Sequence, residues 1–461
     1  MRVSRIRGLA GAAGAILALL ALGSPSAGAS PFHQLVPGAF AQAPTTAQCR
    51  ALLRMACYQP RQLQQAYDMK PLYKAGLTGR GKTIVLVDSF GSPTIKRDLA
   101  TFDLAFHLSP PPSFRIIQPV GRIPRYRRTN FERGEWATET TLDVEYAHAM
   151  APGANILLVE TPVDETIGVK GFPPMIRAEN YVIDHGLGDV ISQSFGTAEE
   201  TFPSRRSIYA LRSAYFNPLA HRVTVVSASG DGGATAESAF DTSNGDVNYF
   251  PFRVSSWPAT DPLVTSVGGT QLHLAAKPTR TRPDSVWNDT TTSSGPNAAG
   301  GGVSRVFARP SYQNAVARIV GAARGTPDVS MSAATRGAAL VYMSTTNYAD
   351  GLDGPAFHLI GGTSEAAPLF AGIVAVADQL AGHDLGLLNP ALYAIGDGPG
   401  SPLTDITAGN NSVFGTQQLA PVKGRSFTVH GYDAVPGYDL ASGLGTADGT
   451  RLISALAGRP G

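Results

Sequence analysis

Thr83-Ile84-Val85-Leu86-Val87-Asp88, entered through the turn Gly79-Arg80-Gly81, is an uninterrupted run of mostly branched apolar residues. A strand wetted on one face alternates apolar and polar residues, whereas an unbroken run fits a strand covered on both faces, as in a parallel sheet. Comparable runs follow at residues 155–159, 189–194, 223–228 and 263–267, and stretches of helical pattern lie between several of them, at 139–150, 175–185 and 206–216. This alternation predicts an α/β domain: three layers, with a mostly parallel central sheet and helices on both faces. Residues 278–302, rich in Thr, Ser, Asn, Gly and Pro, read as a long surface loop, because further α/β pattern follows them.

Composition agrees with a large folded domain. Of 461 residues, 43% are hydrophobic and 16% charged, which excludes a wholly disordered chain. The 51 glycines and 34 prolines follow no Gly-x-y period or heptad, so collagen and coiled coil are excluded and many loops are expected. The formal charge of +2 comes from the first residues, where Arg2, Arg5 and Arg7 face no acid. Beyond residue 29, 34 basic residues stand against 35 acidic ones. That balance, read with no basic run beyond residue 29, argues against nucleic acid or an anionic membrane surface as a partner, and a monomer is expected.

Residues 1–29 combine this basic start with an apolar stretch from Leu9 to Leu22 and the small-residue end Ala27-Gly28-Ala29. They read as a signal peptide and predict secretion; the competing reading, an uncleaved anchor, suffers because the stretch is shorter than the ~20 residues a spanning helix needs. Residues 30–65, rich in Gln, Pro and Ala, read as an N-terminal extension with a short helix near 51–56. The two cysteines, Cys49 and Cys57, lie in it. In an oxidising compartment they could close a small loop or remain free thiols; without nearby histidines they supply too few ligands for a metal.

Gly361-Gly362-Thr363-Ser364-Glu365-Ala366-Ala367-Pro368 leads into an apolar helical stretch at 369–380, with Pro368 expected in its first turn. Ser364 at such a junction is a helix cap or a nucleophile, since first-turn amides stabilise a developing oxyanion. In 136–150, Glu139 and Asp143 stand four residues apart and share a helix face. They are two solvated acids or a pair relieving its repulsion by sharing a proton. Glu145 and His148 have E-x-x-H spacing, but no second such motif accompanies them, so His148 reads as a packed histidine and not as a metal ligand. Asp231, in Ser229-Gly230-Asp231-Gly232-Gly233 after a strand, is a turn residue or a catalytic group at the carboxyl edge of the sheet.

In this order, these elements resemble the sedolisin family of serine-carboxyl peptidases, whose domain is an elaborated subtilisin-like fold. The resemblance spans roughly residues 60–457 and also includes Ser192-x-Ser194-Phe195-Gly196, Val267-Gly268-Gly269-Thr270, Pro327-Asp328-Val329-Ser330 and Ser442-Gly443-Leu444-Gly445-Thr446. It implies a peptidase domain over 66–461, an acid-acting endopeptidase with protein or peptide substrates and an acyl-enzyme on Ser364. Glu139 would be the general base, Asp143 its orienting partner and Asp231 a protonated oxyanion donor. It also implies one structural calcium ion held by the carboxylates of Asp405 and Asp439 and the carbonyls of Ile406, Val435 and Gly437, a set of hard oxygen donors; an ordinary pair of turn aspartates is the competing reading. Three departures stand out: Gly232 where the family has serine, Glu365 where a small residue is usual, and a short segment where the family carries a long propeptide. A silent peptide-binding protein on the same fold, or a neutral hydrolase using His148 or His221 as base, are the rival readings.

Overall fold

Thr83–Ser89 lies between Val190–Gln193 and Asn155–Thr161, parallel to both, with Ile84 opposite Val190 and Val85 opposite Leu157. The computed structural model describes residues 33–36, 42–165, 167–217, 219–275, 279–349, 351–396 and 400–458; the expected signal peptide lies outside them. The main sheet runs Leu403–Thr404, Thr446–Ala447, Val329–Ser332, Thr265–Gln271, Thr224–Ala228, Val190–Gln193, Thr83–Ser89, Asn155–Thr161, Phe114–Ile117. All neighbours in this row are parallel except the first pair. The expected α/β architecture is the one observed.

Two helices pack on each other along one face of the sheet. Phe131–Met150, the carboxylate helix, starts at Asn130, whose side chain accepts from the Arg133 amide. Thr363–Ala381, the serine helix, lies across five central strands and is buried from Thr363 to Asp378. Their closeness rests on Gly372, where a Cβ would stand 2.6 Å from Met150 Cβ. Phe172–Asp184 covers the opposite face. Pro368 is not in the first turn of its helix, as expected, but its sixth residue, so the Ser364 carbonyl lacks its usual helical amide donor.

The N-terminal segment is packed into the body. Its helix is Thr46–Leu53, set by a Thr45–Gln48 capping box and stopped by left-handed Arg54; the expected 51–56 placement overlooked that cap. Ala56–Tyr58 then joins Gly337–Met343 in a second, four-stranded sheet. Cys49 and Cys57 form a disulfide. Residues 278–302 are more than a surface loop: Ser285–Val286 pairs with Thr265–Gln271, and Trp287, Ala298 and Ala299 are fully buried. Among the described residues no helix is long and apolar enough to cross a membrane.

Arg324 and Asp328 form a fully buried ion pair with contacts of 2.6 and 2.5 Å, and Asp328 also accepts from Tyr393 and the Ser266 amide. Removing one partner strands the other charge, so Asp328→Ala should cost about 3–5 kcal/mol. Denaturant unfolding of this variant beside Arg324→Met/Asp328→Leu checks it. The double variant should lose less than the single one.

Candidate active site

Parallel strands put their carboxyl ends on one edge, and there the chain places Asp88, the last but one residue of its strand, Ser194 just after Val190–Gln193, and Asp231 just after Thr224–Ala228. The two helices bring Glu139, Asp143 and Ser364 to the same edge. Of the sequence-predicted catalytic residues, all four meet.

Glu139 and Asp143 are both fully buried, which removes the reading of two solvated acids. Asp143 Oδ1 accepts from the Ser194 hydroxyl at 2.8 Å. Neither oxygen of Glu139 has a hydrogen bond of normal geometry, and the Ser364 hydroxyl is the neighbour that favours its ionised form. Burial, then the charge of Asp143 and then that of Asp88, push Glu139 well above the usual carboxylate range. Asp143 is raised by burial and by Asp88. Asp88, also fully buried, is pushed up to about 7 by burial, with Thr140 and Asp143 opposing. Three adjoining buried carboxyls cannot all ionise, so protons are shared along Asp88, Asp143 and Glu139.

Asp231 Oδ1 accepts from the Thr363 amide and the Thr363 hydroxyl, each at 2.7 Å, while that hydroxyl accepts from the Gly230 amide at 3.0 Å. Burial raises the Asp231 carboxyl to about 6 against these bonds. The two contacts on Oδ1 leave Oδ2 as the oxygen to carry a proton. Ser364 is the second residue of its helix, and the first-turn amides have no intrahelical acceptor. A cavity of about 40 Å³ is bounded by Ser194, Gly196, Asp231, Glu237, Thr363 and Ser364.

The departures acquire physical reasons. A Cβ at Gly232 would stand 2.6 Å from the Thr235 carbonyl, so this turn has no room for a side chain. Glu365 does not charge the site: it is fully buried and raised to about 8 by burial, with Ser332 and the Ala339 amide opposing. His148 is fully buried, with Nε2 3.2 Å from Asp103 Oδ1. Nine residues beyond Glu139, it lies about 13 Å along the helix and half a turn round. Nothing favours it as a base for Ser364, and the side chain of His221 lies outside the described residues. Glu145 accepts from the Tyr342 amide, and among the described residues no three His, Cys, Asp or Glu side chains group as a metal site.

Sequence reading missed Asp88, Ser194 and Glu237. Asp88 carried a signal, an acid closing a buried apolar strand, and Ser194 stood in a recognised motif without a role. Glu237, raised to about 7 by burial and facing Asp231, carried none. Of the residues expected to hold calcium, the two carboxylates reach one turn: Asp405 Oδ2 accepts from the Gly437 amide at 2.8 Å and Asp439 Oδ2 from the Val435 amide at 3.0 Å. Two carboxylates around one turn match the donor chemistry of calcium.

No family model matches the chain. Kumamolisin of Bacillus sp. (strain MN-32) is 32% identical over 414 residues, covering 87% of this chain and 63% of that protein. Sedolisin of Pseudomonas sp. (strain 101) is 26% identical over 400 residues, covering 87% and 61%. Tripeptidyl-peptidase 1 of Homo sapiens is 29% identical over 335 residues, covering 70% and 52%. The chain thus spans less than two thirds of the length of these relatives. The solved structure of Pseudomonas sedolisin, a serine-carboxyl proteinase complexed with two molecules of pseudo-iodotyrostatin, superposes with a TM-score of 0.67 at 24% identity, covering 88% of this chain and 99% of that one, and shows the same fold. With kumamolisin and sedolisin aligned along most of its length and the fold of the solved sedolisin, the chain is similar to the sedolisins in sequence and shares their architecture.

Proposed function

We propose that the protein is a secreted, acid-acting serine-carboxyl endopeptidase. The observation that carries this reading is the meeting of Ser364 and Asp231 at one cavity, with Glu139 beside the Ser364 hydroxyl and Asp143 and Asp88 behind it. Ser364 Oγ attacks the peptide carbonyl carbon as its proton passes to Glu139. The oxyanion accepts from the Ser364 amide and from protonated Asp231. Collapse returns the proton from Glu139 to the leaving amine and leaves the acyl-enzyme; water then enters by the same route and releases the acid. Asp143, held by Ser194, orients Glu139 and with Asp88 takes up part of its charge or proton.

The pH profile follows from these groups. Glu139 sets an acidic limb above the glutamate reference of about 4.3, and Asp231 an alkaline limb near 6. Cleavage of a diverse peptide library across about pH 3–8 should be bell-shaped with its maximum between the two limbs, on the acid side of about pH 6, with internal bonds cut and Ser364→Ala inactive. Release of tripeptides only would replace the endopeptidase reading with a tripeptidyl one, as some relatives are named. Intact peptides at every pH would favour the silent binding protein.

Calcium, when bound, would tie Asp405 and Ile406 to the 435–439 turn through oxygen ligands. A ligand taken only by the native state raises stability by mass action, about 2.7 kcal/mol at a hundredfold excess over Kd. Melting with calcium and then with a chelator should differ, and Asp439→Ala should erase most of the difference. Identical wild-type melts would remove the metal.

A further inference from the structure

Between Phe114–Ile117 and the carboxylate helix, the chain reads Arg122-Ile123-Pro124-Arg125-Tyr126-Arg127-Arg128, with Arg133 in the first turn of the helix. Arg122, Arg125, Arg127 and Arg128 are exposed, and among the described residues none of them forms an ion pair. A chain whose basic and acidic residues balance as a whole thus concentrates positive charge outside any ion pair at one place.

That place adjoins the catalytic edge. Pro124, Arg125, Arg127, Asn130 and Arg133 enclose a recess of about 320 Å³. The Arg133 guanidinium donates to the Pro124 carbonyl at 3.0 Å and stacks 3.8 Å from the Phe90 ring centroid, while its Nε is buried without an acceptor. Phe90 follows the strand bearing Asp88 and has φ 62°, a strained conformation for a bulky residue that the stack helps to hold. Arg133 is six residues, about 9 Å along the helix, from Glu139. On the far side, Phe131 packs against Phe240 at 6.5 Å, in the strand that supplies Glu237 to the catalytic cavity. An extended peptide advances about 3.3 Å per residue, so a side chain two to four residues from the scissile bond reaches the recess.

We propose that this arginine rim is a specificity subsite for an acidic side chain, aspartate or glutamate, two to four residues from the bond cleaved. It rests on the peptidase reading above. Arginine presents paired donors to a carboxylate and stays charged at every working pH, and near pH 5.5 the carboxyl of a substrate is ionised.

The test uses peptides that carry Asp or Asn at one position, scanned across the four residues on either side of the cleaved bond. Binding to Ser364→Ala is read by fluorescence anisotropy at pH 5.5, and kcat/KM is measured on the active protein. At one position Asp should be preferred over Asn by about tenfold in both readings. The preference should shrink at 0.5 M salt, fall towards parity in Arg125→Ser/Arg127→Ser and reverse in Arg125→Glu/Arg127→Glu. Parity in binding to Ser364→Ala with its arginines intact at every position, or a preference unmoved by charge reversal, overturns the subsite. Preferred binding with no cleavage of any peptide would instead overturn the peptidase reading and leave the subsite standing.

Discussion

Glu139→Gln is expected to lower kcat by about 10²–10⁴-fold while leaving the fold as stable as before or more so. The two effects have opposite signs because Glu139 lies among buried carboxyls. It is the group beside the Ser364 hydroxyl that can take its proton, and an amide cannot. Yet its charge is opposed by burial, by Asp143 and by Asp88, so a neutral isostere removes repulsion. Asp143→Asn and Asp88→Asn should leave more activity, since these groups act through Glu139, and each should move the acidic limb of the pH profile downward by removing a neighbouring charge. Steady-state kinetics and melting curves at pH 5 give both quantities. A Glu139→Gln protein with full activity, or one that loses activity only because it unfolds, would refute the assignment.

The fold was legible because its central strands are covered on both sides. Residues 83–88 and the runs at 155–159, 189–194 and 223–228 are apolar without alternation for that reason, and all became neighbours in the main sheet. Errors gathered where structure is set by long-range contact. The 278–302 segment has loop composition, but Trp287 is drawn into the core and pairs its amide with the Gly269 carbonyl. Pro368 looked like a first-turn proline because the helix was read from the apolar stretch that begins at Leu369. The helix in fact begins at Thr363, whose side chain and amide are fixed by Asp231, a residue 132 positions away.

The candidate site was legible in part for similar reasons. An i, i+4 pair of acids on a helix announces shared facing, so Glu139 and Asp143 could be paired, but burial decides whether they repel or cooperate, and burial is a property of the packed helix face. Asp88 enters that pair only through the strand order that seats its strand under the carboxylate helix. The reading of no basic run beyond residue 29 overlooked the stretch 122–128, with arginines at 122, 125, 127 and 128, because a whole-chain charge balance averages it away. Its position beside Phe90 and Glu139 comes from the fold.

The stability of the protein should fall steeply as pH rises from about 4.5 to 8. Burial raises Asp231 to about 6, Asp88, Asp164, Glu237 and Asp378 to about 7, and Glu179 and Glu365 to about 8. A carboxyl raised in the folded state binds its proton more tightly there than in the unfolded chain. Its contribution is therefore complete below the unfolded value near 4 and is lost as pH climbs to the folded one. A carboxyl held three pH units above its usual value contributes on the order of 4 kcal/mol, and several such groups together rival the 5–15 kcal/mol of a typical domain. Asp241 and Asp384 are displaced the other way by hydrogen bonds from Ser243 and Lys82. Melting temperature should thus be highest on the acid side and fall through neutrality, the same window in which, under the proposed mechanism, loss of the Asp231 proton would end catalysis. Glu365→Gln, which touches no catalytic group and cannot ionise, should flatten the upper part of that fall without moving the alkaline limb of activity. A melting temperature at pH 8 equal to that at pH 4.5 would mean that these carboxyls are hydrated or paired in ways that their burial does not indicate.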